Sequence, residues 1–163
     1  MERMKDRVDG LEAMALSLAR LGVLGRSPAA PGTVATLAAG IPSAWVVAQL
    51  PYGWACLILV LLFPAACWAC DRAQQILVKA DPGEVVVDEL MGFLVTMIGL
   101  PATGLSLLLG ALFFRLFDIW KPWPVNVLDG ELHGGLGIMA DDVAAGLYAH
   151  AAVAFLLPLL ERL

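Results

Sequence analysis

DELMGFLVTMIGLPATGLSLLLGALFFRLFD (residues 88–118) opens on two acids and closes on a cation–acid pair. From Leu90 to Phe114 it holds 25 residues with no Asp, Glu, Lys or Arg. One helix over Leu90–Phe117 would be about 40 Å long at 1.5 Å per residue. Leu100-Pro-Ala-Thr-Gly104 interrupts it. Pro101 lacks a backbone donor and clashes with the preceding turn, and Gly104 permits a sharp change of direction. A helical hairpin, Leu90–Gly99 then Thr103–Ile119, therefore competes with one kinked span.

Two more uncharged stretches flank this one. Ser27–Cys70 holds 44 residues and Val143–Leu160 holds 18. A membrane-crossing helix needs roughly 20 apolar residues, so the first stretch is long enough for two, Val34–Gln49 and Trp54–Cys70, joined by Pro51-Tyr-Gly53. The chain is 60% hydrophobic but only 8% aromatic. Ordinary soluble domains are about 45–50% apolar, and an excess made of Ala, Leu and Val suits helices in lipid. The expected fold is all-α: one domain over residues 1–163, a compact helical membrane domain with about four embedded segments, the third a hairpin. A soluble helical bundle is the alternative, because spans of 16 to 18 residues are short for lipid.

Charge asymmetry favours the hairpin. It gathers Arg3, Lys5, Arg7, Arg20, Arg26, Arg72, Lys79, Arg115 and Lys121 on one side and leaves Arg162 opposite, as the positive-inside rule expects. The acids then face the same, cytoplasmic, side. Residues 1–24 read as an amphipathic helix, with Leu11, Met14, Ala15 and Leu18 at helical spacing, and carry no long apolar signal core. Cys67 and Cys70 form a CxxC inside an apolar helix and read as small fillers. No nucleic-acid partner is expected.

Three polar clusters remain. The first is Asp81-Pro-Gly-Glu-Val-Val-Val-Asp-Glu89. If it is helical, Glu84 and Asp88 share a face and repel, so a cation should compensate. The bland reading is a helix N-terminus, where acids suit the dipole. The second is Phe114-Arg115-Leu-Phe-Asp118-Ile-Trp-Lys121-Pro-Trp-Pro124. It reads as an intrahelical ion pair with interfacial tryptophans, or as a carboxylate metal ligand beside cations for phosphate. The third, His133-Gly-Gly-Leu-Gly-Ile-Met-Ala-Asp141-Asp142, reads as a glycine-rich loop before a helix. Its backbone amides could approach a ligand, or Asp141 could simply cap the helix with Asp142 in the first turn. Thr33, after Ala30-Pro-Gly32, is an expected N-cap.

Asp88, Glu89, Asp118, Asp141 and Asp142 thus stand at the edges of apolar helices. Hard oxygen ligands of this kind suit Mg²⁺, and no Cys/His spacing for zinc occurs. Arg115 and Lys121 could neutralise phosphate oxygens. The sequence has no Asp-x-Asp motif, no Cys-x5-Arg loop and no Gly-x4-Gly-Lys-Ser/Thr loop. Phosphoryl chemistry at a membrane surface is the leading reading. A small ion-coupled transporter and a non-enzymatic metal-binding membrane subunit are the rivals. A transporter should carry its acids near the bilayer midplane, whereas these lie at helix ends.

At these clusters the sequence resembles the phosphatidylglycerophosphatase A family. The matching stretches are Ala30-Pro-Gly-Thr33 with Thr36-Leu37, then Asp81 with Val87-Asp-Glu89 and Gly92. Phe114-Arg-Leu-Phe-Asp118, Lys121-Pro-Trp-Pro124, His133-Gly-Gly135, Gly137-Ile-Met139, Asp141-Asp142 and Gly146 follow in the same order. Ala35 stands where the family's Pro-Gly-Thr-x-Gly-Thr pattern has Gly. The resemblance implies a Mg²⁺-dependent phosphoric monoester hydrolase of the bacterial inner membrane. Its substrate would be phosphatidylglycerophosphate in the bilayer, converted to phosphatidylglycerol and phosphate. Carried over by position, Asp88, Glu89, Asp118, Asp141 and Asp142 become metal or catalytic groups. Thr33, Arg115, Lys121 and His133 become phosphate contacts.

Overall fold

The structure is a computed structural model that describes residues 10–80, 82–123, 125–127 and 132–162. The first nine residues of the expected N-terminal helix, and Asp81 and Pro124 of the motifs, lie outside the described residues. Among the described residues there is no strand. The longer helices among the described residues are α1 (Gly10–Ala19), α2 (Pro31–Val47), α3 (Tyr52–Leu77), α4 (Val87–Met97), α5 (Gly104–Trp120) and α6 (Gly134–Leu160).

α1 ends earlier than its apolar spacing predicts. Gly22 N–H donates to Ser17 O at 2.8 Å and Leu21 N–H to Leu18 O at 3.1 Å, with Leu21 at φ 48°. This is the paired bonding that closes a helix through a left-handed residue. α2 begins with Pro31 in its first turn and not at Thr33; the preceding Ala30 is left-handed, and residues Thr36–Gly40 form a π turn within the helix. α3 carries on past Cys70 through the expected polar connector to Leu77. α6 also starts sooner than expected: the glycine-rich stretch is its first turn and not a loop, so Asp141 and Asp142 lie inside the helix. The apolar run quoted above is broken where Pro101 and Gly104 predict. α4 stops at Met97, and α5 starts behind a Thr103–Ser106 capping box.

α6 is the central helix, packed by α3, α4 and α5, while α1 lies on α3 and α2 on α4. The α4–α6 crossing is backbone against backbone. A Cβ on Gly146 would collide with Gly92 O, and one on Gly92 would stand 2.6 Å from Asp142 O. Thr96 Oγ1 donates towards both carbonyls at the crossing, Gly92 O at 2.9 Å and Gly146 O at 3.3 Å. Three turns earlier on α6, Gly135 abuts the Cys67 carbonyl of α3. Close approach through small residues is how helices associate where no hydrophobic drive separates them from lipid. Phe93 and Phe114 fill the space beneath in an edge-to-face pair, 6.3 Å between centroids.

α3 and α6 are long and apolar enough to cross a membrane, and only 28% of the most apolar window of each is buried. Val60, Leu61, Leu147 and Phe155 are among the large apolar side chains left outside. Such a surface is costly in water and natural in lipid, so the chain reads as a membrane protein. Cys56, Cys67 and Cys70 are all free thiols, in keeping with a packing role.

Gly146→Ala is expected to push α4 from α6 and to lower stability by about 1–3 kcal/mol, the range for overpacking a tight contact. Thermal unfolding in detergent reads this out. An unchanged midpoint would contradict the crossing described.

Candidate active site

The crossing sets the site. Asp88 and Glu89 lie in the first turn of α4, four and three residues before Gly92. Asp142 lies four residues before Gly146 on α6. Each carboxylate is therefore one turn from the contact, on the same side of it. One oxygen from each of Asp88, Glu89 and Asp142 falls within 4.8 Å of the other two. Asp88 Oδ1, Glu89 Oε2 and Asp142 Oδ2 are buried with no hydrogen-bond partner among the described residues.

α5 brings the cations from the opposite wall. Arg115 Nη1 lies 2.6 Å from Asp118 Oδ2, the intrahelical pair that the spacing predicts, and 3.7 Å from Glu89 Oε1. Lys121 holds the left-handed C-cap of α5, where the helix stops before Pro122. It reaches α6 to donate to Asp141 Oδ2 at 2.7 Å. The five acids and Lys121, with His133 and Gln74, line a cavity of about 510 Å³, and Arg115 lies behind its Glu89 and Asp118.

Burial, and then the charges of Glu89 and Asp142, push the Asp88 carboxyl well above the usual range. Glu89 is raised as well, chiefly by burial, although Asp88 and the Arg115 guanidinium oppose the shift. With all five acids ionised against Arg115 and Lys121, the cavity would hold three uncompensated negative charges. A phosphate dianion cannot approach such a site without a cation. Three converging carboxylates with orphaned buried oxygens are what a hard divalent ion needs, so the donor set fits a divalent metal.

Of the residues singled out in the sequence, Asp88, Glu89, Asp118, Lys121, His133, Asp141 and Asp142 share this cavity; Arg115 does not line it but pairs with Glu89 and Asp118, which do. Thr33 does not reach it: it faces a separate apolar groove on the far side of Arg115. The preceding Gly32 is the close neighbour of the site, where a Cβ would collide with Glu89 Oε1. The cation that Glu84 requires is Arg20, at 2.6 Å, so Glu84 belongs to the scaffold. Asp71 carries no sequence motif, yet its Oδ1 lies 3.4 Å from Gly135 N at the start of α6. An acid there complements the helix dipole. No local signal could have linked positions 71 and 135.

Residues 17–157 match the family described as phosphatidylglycerophosphatase A. The chain belongs to the phosphatidylglycerophosphatase A family. It is 35% identical over 133 residues to the phosphatidylglycerophosphatase A of Escherichia coli strain K12, covering 81% of this chain and 77% of that one. It is 34% identical over 121 residues to the Haemophilus influenzae protein of the same name, 74% of each. A Bacteroides thetaiotaomicron relative, provisionally named a phosphatidylinositol-3-phosphatase, is 35% identical over 137 residues, 80% of this chain and 85% of that one. No solved structure matches. The matched span contains every residue of the acidic cavity.

An acid that keeps its proton longer when folded than when unfolded loses stability as pH rises. Below about pH 4 both states are protonated, and above it only the folded state is. Metal-free protein is expected to lose stability as pH rises above about 4, and Asp88→Asn to flatten that decline. Thermal unfolding in chelator across pH checks this. Parallel profiles for the two proteins would refute it.

Proposed function

We propose that this protein is a divalent-metal-dependent phosphatase that hydrolyses phosphatidylglycerophosphate to phosphatidylglycerol and phosphate, with Mg²⁺ as the metal. The observation that carries the reading is the convergence of Asp88, Glu89 and Asp142 beside Arg115 and Lys121, in a chain of this family. Asp88, Glu89 and Asp142 would hold the ion, and Asp118 and Asp141 would fix the two cations. A bound Mg²⁺ supplies Lewis-acid polarisation of the phosphoryl group and a lowered pKa for water. Arg115 and Lys121 offset charge on the phosphoryl oxygens. Both are tethered by carboxylates, so little reorganisation is needed when substrate binds. His133, exposed at the N-cap of α6, stands at the cavity rim and meets the headgroup there.

The whole chain acts as one domain in this reading. α3 and α6 cross the bilayer, α2 provides a further embedded segment, and α4 with α5 form a re-entrant hairpin. α4 has 11 residues, too few to cross a bilayer alone. Positive charge on the side of the acids favours a cytoplasmic active site in the inner membrane of a bacterium.

Purified protein in detergent micelles is expected to release phosphate from phosphatidylglycerophosphate with Mg²⁺ and to stop when the metal is chelated. Asp88→Asn and Asp142→Asn should each lower turnover by about a hundredfold or more, as for loss of a group that stabilises the transition state. Turnover that survives both substitutions would remove this metal site. Faster release from phosphatidylinositol 3-phosphate would reassign the headgroup.

A further inference from the structure

A groove of about 270 Å³ lies between α2 and α5, on the opposite side of Arg115 from the acidic cavity. Its walls are two helical stripes: Thr33, Thr36 and Leu37 on α2, and Leu108, Leu112 and Arg115 on α5. Thr36 turns its hydroxyl back to Gly32 O at 2.9 Å and so offers the groove little polarity. Leu37, Leu108 and Leu112 are 52%, 65% and 60% exposed. From Leu108 to Arg115 the α5 stripe runs two turns, about 10 Å. It passes from exposed leucine to a guanidinium that pairs with Asp118 and Glu89 in the cavity wall.

We propose that this groove seats an acyl chain of the substrate. The inference rests on the lipid phosphatase reading above and adds the route by which the lipid reaches the site. The match is one of chemistry along a line: an apolar trough open to the surrounding lipid, then a fixed cation, then the acidic, metal-binding cavity. A lipid whose terminal phosphate enters the cavity has the same order, an apolar chain, then an anionic linkage, then a phosphate monoester. Arg115 stands where the polar part meets the acyl part, and Thr33 contacts the lipid at that junction. This gives Thr33 a place beside the substrate without contact to the reacting phosphate. The substrate is then drawn sideways from the bilayer, and its terminal phosphate passes Arg115 to reach Asp88, Glu89 and Asp142.

The test fills the groove from each wall with Leu37→Trp and Leu112→Trp, both exposed positions outside the catalytic set. Leu147→Trp on α6 controls for a bulky residue on the lipid-facing surface. Each full-length protein is assayed in micelles with Mg²⁺ against diacyl phosphatidylglycerophosphate and against its deacylated headgroup. The groove variants are expected to raise KM for the diacyl substrate about tenfold, as when one or two buried methylenes are displaced. Leu147→Trp should leave that KM unchanged, and the deacylated headgroup should not distinguish the proteins. An equal rise in all three variants, or a parallel loss with both substrates, would overturn the acyl groove. So would an unchanged KM accompanied by a change in oligomeric state, which would assign the groove to a second copy of the chain. Wild-type protein that releases phosphate from neither substrate would instead defeat the phosphatase reading itself.

Discussion

At the crossing of α4 over α6, two backbones meet with no side chain between them, because Gly92 and Gly146 leave room for none. The position of the acids follows from that contact. Asp88 and Asp142 each sit four residues before their glycine, so both carboxylates project from the turn next to the closest approach. Wider spacing of the helices would carry the carboxylates beyond reach of one ion. Thr96 reinforces the contact by bonding towards a carbonyl of each helix. Packing and ligand geometry are thus one feature, and a substitution at either glycine acts on both.

The cluster so formed is costly on its own terms. Burial raises Asp88, and neighbouring carboxylates raise it further. Such a site persists because helices fixed elsewhere over-determine it. α3 holds α6 through the Gly135 contact, and the Arg20–Glu84 pair ties the end of α1 to the turn that leads into α4. The cations from α5 offset part of the charge, and a divalent ion would offset the rest. Crowding of the acids would then favour a divalent ion, which would relieve repulsion that the fold imposes.

The two faces of Arg115 divide the molecule by solvent. On one side lie carboxylates and a polar cavity, and on the other an apolar trough bounded by exposed leucines. An enzyme acting on a lipid headgroup must hold both environments within one substrate length. A helix whose apolar stripe ends in charged residues provides this directly. The apolar stripe of α5 gives way to Arg115, Asp118 and Lys121 within its last turns.

The helical class, the break at Pro101, the family and the acids of the cavity are all legible along the chain. Each rests on local chemistry: uncharged runs, a missing amide donor, and acids at the margins of apolar segments. What those residues do for one another follows from how the helices pack. The glycines of residues 134–137 read as a ligand loop in sequence but open α6, where the backbone of α3 leaves no room for a larger side chain at Gly135. The motif groups Thr33 with the phosphate contacts, yet it lines a separate groove beside Arg115. Asp71 and Arg20 gained their roles only from partners 64 positions away in each case. Such pairings are set by how helices cross, and residue spacing along one helix carries no record of the helix that will cross it.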